Sequence, residues 1–129
     1  YITKVYPFLH IITRHFHQAG VKILAGTDTA FPLAPPGESL IEEITLLVQA
    51  GLSPYEALKA ATANAGAYVQ LFIDKKARFG KIKENYTAHL VVLTSNPLQN
   101  LEVLKRPMGV LLRGQWYDRA ALQKMVKWD

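Results

Sequence analysis

The sequence predicts an α/β chain in two parts, a helix-strand-helix portion over residues 1–78 and a small β portion with a C-terminal helix over residues 79–129. Three observations carry this reading. Apolar residues at helical spacing run into a short apolar stretch between glycines, Val21-Lys22-Ile23-Leu24-Ala25, as a helix leading into a buried strand would. Two Ser-x-x-Glu signatures, Ser39 with Glu42 and Ser53 with Glu56, each open a further helical stretch. From about Phe79 the chain breaks into short extended pieces set off by turn glycines.

In residues 7–18, Phe8, Ile11, Ile12 and Phe16 fall near one helical face, and Ala19-Gly20 closes the helix. The buried strand follows at residues 21–25, and Gly26-Thr27-Asp28 leaves its carboxyl end. Residues 31–37 contain Pro32, Pro35 and Pro36, which forbid a regular helix and predict a stiff loop. Ser39-Leu40-Ile41-Glu42 reads as a capping box for a helix whose stripe is Leu40, Ile41, Ile44, Leu47 and Val48, with Gly51 as its stop. Ser53-Pro54-Tyr55-Glu56 repeats the device with proline at the first helical position, and Leu58, Ala61, Ala65 and Tyr68 can face a core. Residues 60–67 are alanine-rich but interrupted by Asn64 and Gly66, so close helix packing or a break into two short helices is expected.

Extended pieces are expected at Gly80-Lys81-Ile82, at residues 88–93 and at residues 108–117, where Arg113-Gly114-Gln115 supplies the glycine of a hairpin turn. Asp118 caps a final helix over residues 119–128, with Leu122, Met125 and Val126 on one face.

At 129 residues the chain is one domain by size, able to bury roughly two thirds of the surface its unfolded form exposes. It is far short of the roughly 250 residues of a complete eight-stranded α/β barrel. Hydrophobic residues make up 50% and charged residues 19%, which excludes a disordered tail. Fifteen basic residues against ten acidic give a net charge of +5. The basic residues are scattered, and the runs Lys75-Lys76-Ala77-Arg78 and Lys105-Arg106 are short, so they read as solvated surface rather than a nucleic-acid footprint. The absence of cysteine excludes a disulfide framework, a thiolate metal site and a cysteine nucleophile, and fits a cytoplasmic location. No leader or long apolar span is visible, so no membrane partner is expected.

The chemistry-bearing residue is Asp28. A carboxylate at the carboxyl end of a buried strand is well placed to hold a metal or take a proton in an α/β barrel. The plainer alternative is that it closes a turn with Thr27. Serine hydrolysis is disfavoured, because Ser39 and Ser53 are used as caps, Ser95 sits in an Asn-Pro turn, and no Gly-x-Ser-x-Gly elbow is present. Gly26-Thr27-Asp28 lacks the glycine-rich frame and lysine of a phosphate loop. Trp116, Tyr117 and Trp128 could stack on bases, but beside a hairpin and an amphipathic helix they fit a core or an interface better.

Five stretches in order, Gly20-Val21-Lys22-Ile23-Leu24-Ala25-Gly26-Thr27-Asp28, Leu47-Val48-Gln49-Ala50-Gly51-Leu52-Ser53-Pro54-Tyr55-Glu56-Ala57-Leu58, Ala60-Ala61-Thr62-Ala63-Asn64-Ala65, Ala88-His89-Leu90-Val91-Val92-Leu93 and Asn96-Pro97-Leu98, resemble the carboxyl-terminal portion of the metal-dependent amidohydrolase superfamily, nearest to imidazolonepropionase-like and Xaa-Pro dipeptidase-like members. The resemblance covers nearly the whole chain and only the last part of the family's usual length. It implies the terminal βα units of an amidohydrolase TIM-type barrel plus a partial small β-sandwich. Strands left unpaired at such edges predict completion by self-association or by a complementing chain.

By this resemblance Asp28 matches the aspartate that ends the last barrel strand, a metal ligand and proton acceptor, with Gly26 and Thr27 shaping its turn. The reaction implied is hydrolysis of a C–N amide bond in a cyclic amide or a dipeptide, with a divalent, zinc-like metal in the parent family. A small amide is the expected substrate only if the site is completed, because the family's paired histidines, bridging residue and further histidines have no equivalents here. The chain is therefore expected to be truncated and not catalytic alone, and one carboxylate binds a divalent ion weakly. His15-Phe16-His17 does not replace the paired histidines, since residues two apart on a helix point roughly 200° apart. His10 and His17 share nothing beyond spacing. His89 stands where relatives commonly carry aspartate, and Ile41 where many carry histidine. The competing expectation is a self-associating or protein-binding module without enzymatic activity.

Overall fold

The computed structural model describes residues 2–29 and 35–126. Helix α1 (Ile2–Gln18) starts earlier than the sequence predicts and runs through Pro7. Proline keeps a helical φ but loses the bond to the carbonyl four residues back and crowds it; the helix nevertheless continues past Pro7. Its end is as expected. Gly20 takes φ 80, its amide donates to the His17 carbonyl at 3.0 Å, and the Val21 amide donates to the Phe16 carbonyl at 3.0 Å. This pair of bonds is the Schellman stop that glycine makes affordable.

The buried strand predicted at residues 21–25 does not form as a paired strand. Residues 21–28 belong to no strand, and Val21 and Leu24 are 49% and 38% exposed while Ile23 and Ala25 pack on the core. A barrel strand is buried by neighbours on both edges. Here the segment rests on helices along one side, and its backbone finds partners there instead.

Helix α2 (Glu38–Gln49) also departs from the predicted start. Its N-cap is Gly37 with φ 86, and no side chain caps it. Ser39 already lies inside the first turn, buried, with its hydroxyl donating to the Pro35 carbonyl at 2.8 Å. Ile44 and Leu47 are buried and Ile41 and Val48 half-buried as the stripe requires, but Leu40 is exposed. Gly51, with φ 110, closes the helix through Gly51 N to Val48 O at 2.9 Å and Leu52 N to Leu47 O at 3.2 Å. Arg14 Nε on α1 donates to the Ala50 carbonyl at 3.0 Å and ties the two helix ends together.

The second capping box forms as written. Ser53 Oγ accepts from the Glu56 amide at 3.3 Å, and Glu56 Oε2 accepts from the Ser53 amide at 2.9 Å. Helix α3 (Pro54–Lys59) then passes through a π-turn (Ala60–Asn64) into α4 (Ala65–Phe72). The alanine-rich stretch thus packs closely, with Ala60 and Gly66 buried, and the chain passes through a π-turn at Ala60–Asn64 rather than breaking into two separate helices. Tyr68 is 46% exposed and leans on Phe72, ring centroids 5.0 Å apart, rather than facing the core.

Ile44, Leu47, Leu52, Ala57 and Ala60 form the core, with Ile23, Ala25, Val48, Leu58 and Ala61 packed against it. Leu101 and Leu104, from a 3-10 helix (Leu101–Lys105), reach the same cluster.

Gly80-Lys81-Ile82 forms a bend rather than a strand, with Ile82 89% exposed. Strands β1 (His89–Val92), β2 (Gly109–Leu112) and β3 (Gln115–Asp118) make an antiparallel sheet in sequence order, with Leu90 opposite Leu111 and Val110 opposite Tyr117. Arg113 and Gly114 turn the β2–β3 hairpin with φ 51 and 83, the positive pair that matches strand twist. Asp118 Oδ1 accepts from the Ala121 amide at 2.7 Å and caps α5 (Arg119–Val126). Residues 31–34 of the loop predicted over residues 31–37, and Trp128, lie outside the described residues. Among those described, no helix is long and apolar enough to cross a membrane.

Candidate functional site

Asp28 follows the half-buried residues Ile23, Ala25 and Thr27, which alternate with exposed Leu24, Gly26 and Asp28 itself. Asp28 is thus exposed at the end of this alternating run. Its backbone has φ 50, a left-handed conformation that aspartate tolerates better than most residues.

Three groups fix the loop around it. The Gly26 amide donates to Glu43 Oε1 on α2 at 3.5 Å. The Thr27 and Thr29 hydroxyls bond to each other, and Thr29 Oγ1 lies 3.4 Å from Ser39 Oγ, which donates onward to Pro35. Thr27 therefore pairs with Thr29, and Gly26 with Glu43. Gly26 and Thr27 thus both take part in fixing this turn.

Behind the loop, the Ala25 amide donates to the Ala60 carbonyl at 3.3 Å, and Asn64 Nδ2 donates to the Ile23 carbonyl at 2.9 Å. Glu43, Asn64 and the π-turn are the participants that sequence reasoning passed over. Glu43 lies four residues before Leu47, on the border of the apolar stripe, and that spacing could have marked it as half-buried. Burial pushes the Glu43 carboxyl above its ordinary value, with the Gly26 amide pulling weakly the other way.

The histidines are placed elsewhere. His15 and His17 sit in the last turn of α1, and His17 Nε2 is 3.2 Å from Glu56 Oε1. The Ser53 hydroxyl, then the Ser53 amide, and to a smaller extent His17, hold the Glu56 carboxyl below its usual range. His10 stacks edge-on against Tyr6 with its Nε2 buried and unpartnered among the described residues. His89 is exposed on β1, and Ile41 is half-buried on α2. No three His, Cys, Asp or Glu side chains converge among the described residues. Among the described residues Asp28 therefore offers one carboxylate, whereas a catalytic zinc usually has three protein ligands. A cavity of about 350 Å³ opens at the other end of the segment, lined by His17, Lys22, Glu56, Lys59, Asn64 and Lys81 among others, and does not include Asp28.

The sequence profile of the amidohydrolase family matches residues 12–116. The chain belongs to the amidohydrolase family.

The ochratoxinase of Aspergillus niger is 38% identical over 94 residues, which cover 72% of this chain and 18% of the enzyme. Among solved structures, an Xaa-Pro dipeptidase with bound methionine superposes with a TM-score of 0.73 at 25% identity over 87% of this chain and 26% of the other. A putative prolidase from Bifidobacterium longum gives 0.71 at 35% identity over 89% of this chain and 30% of the other. Phenylurea hydrolase B gives 0.67 at 26% identity, covering 87% and 27%. The amidohydrolase chain described here thus spans about a fifth of its curated relative and less than a third of these structures.

Proposed function

We propose that this amidohydrolase chain is the terminal part of a hydrolase of C–N amide bonds, acting on a dipeptide or a cyclic amide, and that it contributes Asp28 as metal ligand and proton acceptor. The observation that carries the reading is the position of Asp28, exposed at the end of a segment whose other face is fixed to two helices. The names of the Xaa-Pro dipeptidase, the prolidase and the phenylurea hydrolase support the bond class. When bound, a divalent metal would supply Lewis acidity and an activated water. The chain's own part would be to present one carboxylate in a fixed direction. Its described residues do not complete a metal site, so the remaining ligands are assigned to residues outside those described, in a longer polypeptide or in a complementing chain. By the same reasoning residues 21–28 are a terminal barrel segment and the three-stranded sheet is part of a sandwich, both completed by association, in a cytoplasmic setting.

The second reading is a self-associating or protein-binding module without activity. It draws support from the apolar residues exposed along α1 and residues 21–28, among them Phe8, Ile11, Phe16, Val21 and Leu24. Co-expression with a polypeptide carrying the preceding amidohydrolase strands separates the two. Zinc-dependent hydrolysis of dipeptides that needs both polypeptides, and that Asp28→Asn abolishes, is the expected result. A complemented enzyme indifferent to Asp28→Asn would remove Asp28 from the chemistry. A stable homodimer by sedimentation that excludes the complementing polypeptide would favour the binding module.

A further inference from the structure

Residues 21–28 lack a strand neighbour among the described residues, yet their backbone is held at three successive points. The Ile23 carbonyl accepts from Asn64 Nδ2 at 2.9 Å, the Ala25 amide donates to the Ala60 carbonyl at 3.3 Å, and the Gly26 amide donates to Glu43 at 3.5 Å. Two of these three bonds come from the two ends of one π-turn, Ala60–Asn64. A π-turn inserts a residue into an α-helix and leaves a carbonyl without its usual partner four residues on, and such turns are frequent at functional sites. Here the Ala60 carbonyl is turned to the segment, and the widened turn brings the Asn64 amide to the same edge. Because the group facing Asn64 is a carbonyl, the amide must present its N–H, which fixes the side chain's orientation.

We propose that Asn64 is the positioning residue of the site: with the Ala60 carbonyl of the same π-turn it substitutes for a neighbouring strand, sets the register of residues 23–25, and thereby aims Asp28. A donor and an acceptor offered side by side match the alternating carbonyl and amide of an extended edge, as a β-ladder would. A slip by one residue would exchange the two faces and turn Asp28 inward. The part of this inference that concerns catalysis rests on the reading of Asp28 given above.

The test is NMR on the chain itself, comparing the native protein with Asn64→Ala and with Asn64→Asp, which keeps the volume but loses the donated N–H should the alanine variant fail to fold. The expected result is that the amide and Hα resonances of Asp28 move, and that the Ala25 amide exchanges faster by about fivefold relative to core amides such as Leu47, the ratio for one lost hydrogen bond. A residue that only adds stability would raise exchange throughout and leave native Asp28 resonances in place, and that outcome overturns the proposal. In the complemented hydrolase, Asn64→Asp is expected to lower kcat with little change in KM. Shifted Asp28 resonances with unchanged kcat would keep the positioning role and sink the catalytic reading of Asp28.

Discussion

A β-carbon on Gly66 would overlap the main-chain carbonyl oxygen of Phe79, so α4 and the segment leading to the sheet meet at a distance only glycine permits. The contact is reciprocal: a β-carbon on Gly80, whose φ is 81, would overlap the Thr62 carbonyl oxygen. Both obstacles are backbone and cannot swing aside. Gly66→Ala is therefore expected to cost about 1–3 kcal/mol, read from the urea midpoint. An unchanged midpoint would show that the two segments do not pack this closely.

The two Ser-x-x-Glu signatures measure how far the sequence could be read. Ser53 caps its helix because Pro54 sits at the first helical position with φ preset, leaving Ser53 just outside. Before Ser39, Gly37 with φ 86 turns the chain into the helix two residues earlier, and the serine falls inside it. The pattern of polar and apolar residues located both helices, but the loop's backbone decided which serine became a cap. Ser53→Ala is expected to lower stability by about 1 kcal/mol. Ser39→Ala should instead leave α2's start intact while loosening Thr29, which triple-resonance chemical shifts would separate.

Glu43 and Glu56 shift in opposite directions from 4.5, and the signs give a pH test. Burial raises Glu43, so the folded state favours its protonated form; its penalty is fully present above the raised value and is relieved as pH falls through that value toward 4.5. The Ser53 hydroxyl and amide lower Glu56, so its contribution is present above 4.5 and lost as pH falls through the lower folded value. Glu43→Gln keeps an acceptor for the Gly26 amide and removes the titration. Relative to the native chain, the variant should gain stability as pH rises through the window just above 4.5. Parallel urea midpoints across that window would contradict the burial of Glu43.

Asp28 was legible in the sequence as the end of an apolar run, whereas its supports were not. Glu43, Ala60 and Asn64 act through one carboxylate border position, one backbone carbonyl and one amide, none of which changes the apolar periodicity. The apolar run predicts a strand covered on both sides, but Val21 and Leu24 stay exposed and the backbone of residues 23–26 pairs with the helices instead, which periodicity does not encode. Since Asp28 is exposed and its left-handed backbone suits asparagine equally, Asp28→Asn should alter stability by less than about 0.5 kcal/mol. Thermal melts checking this make the substitution a clean probe of chemistry. A large loss would mean the carboxylate has a structural role.

In the hairpin, Trp116 lies opposite Leu111, which puts its indole within diagonal reach of Gly109, the partner of Asp118. A β-carbon on Gly109 would overlap that indole and stand 2.7 Å from the Tyr117 carbonyl. The glycine is buried although Trp116 is 47% exposed, so the ring covers the backbone of β2 and leaves its other side to solvent. This accounts for an aromatic residue on an outer position without invoking a base to stack on it. Gly109→Ala should displace the ring, and Trp116→Ala should uncover the strand, each destabilising the sheet. Because the alanine at Gly109 collides partly with a ring that the second substitution removes, the double variant should lose less than the sum, with a coupling of about 0.5–3 kcal/mol. Strict additivity in urea denaturation would mean that the indole does not rest on Gly109.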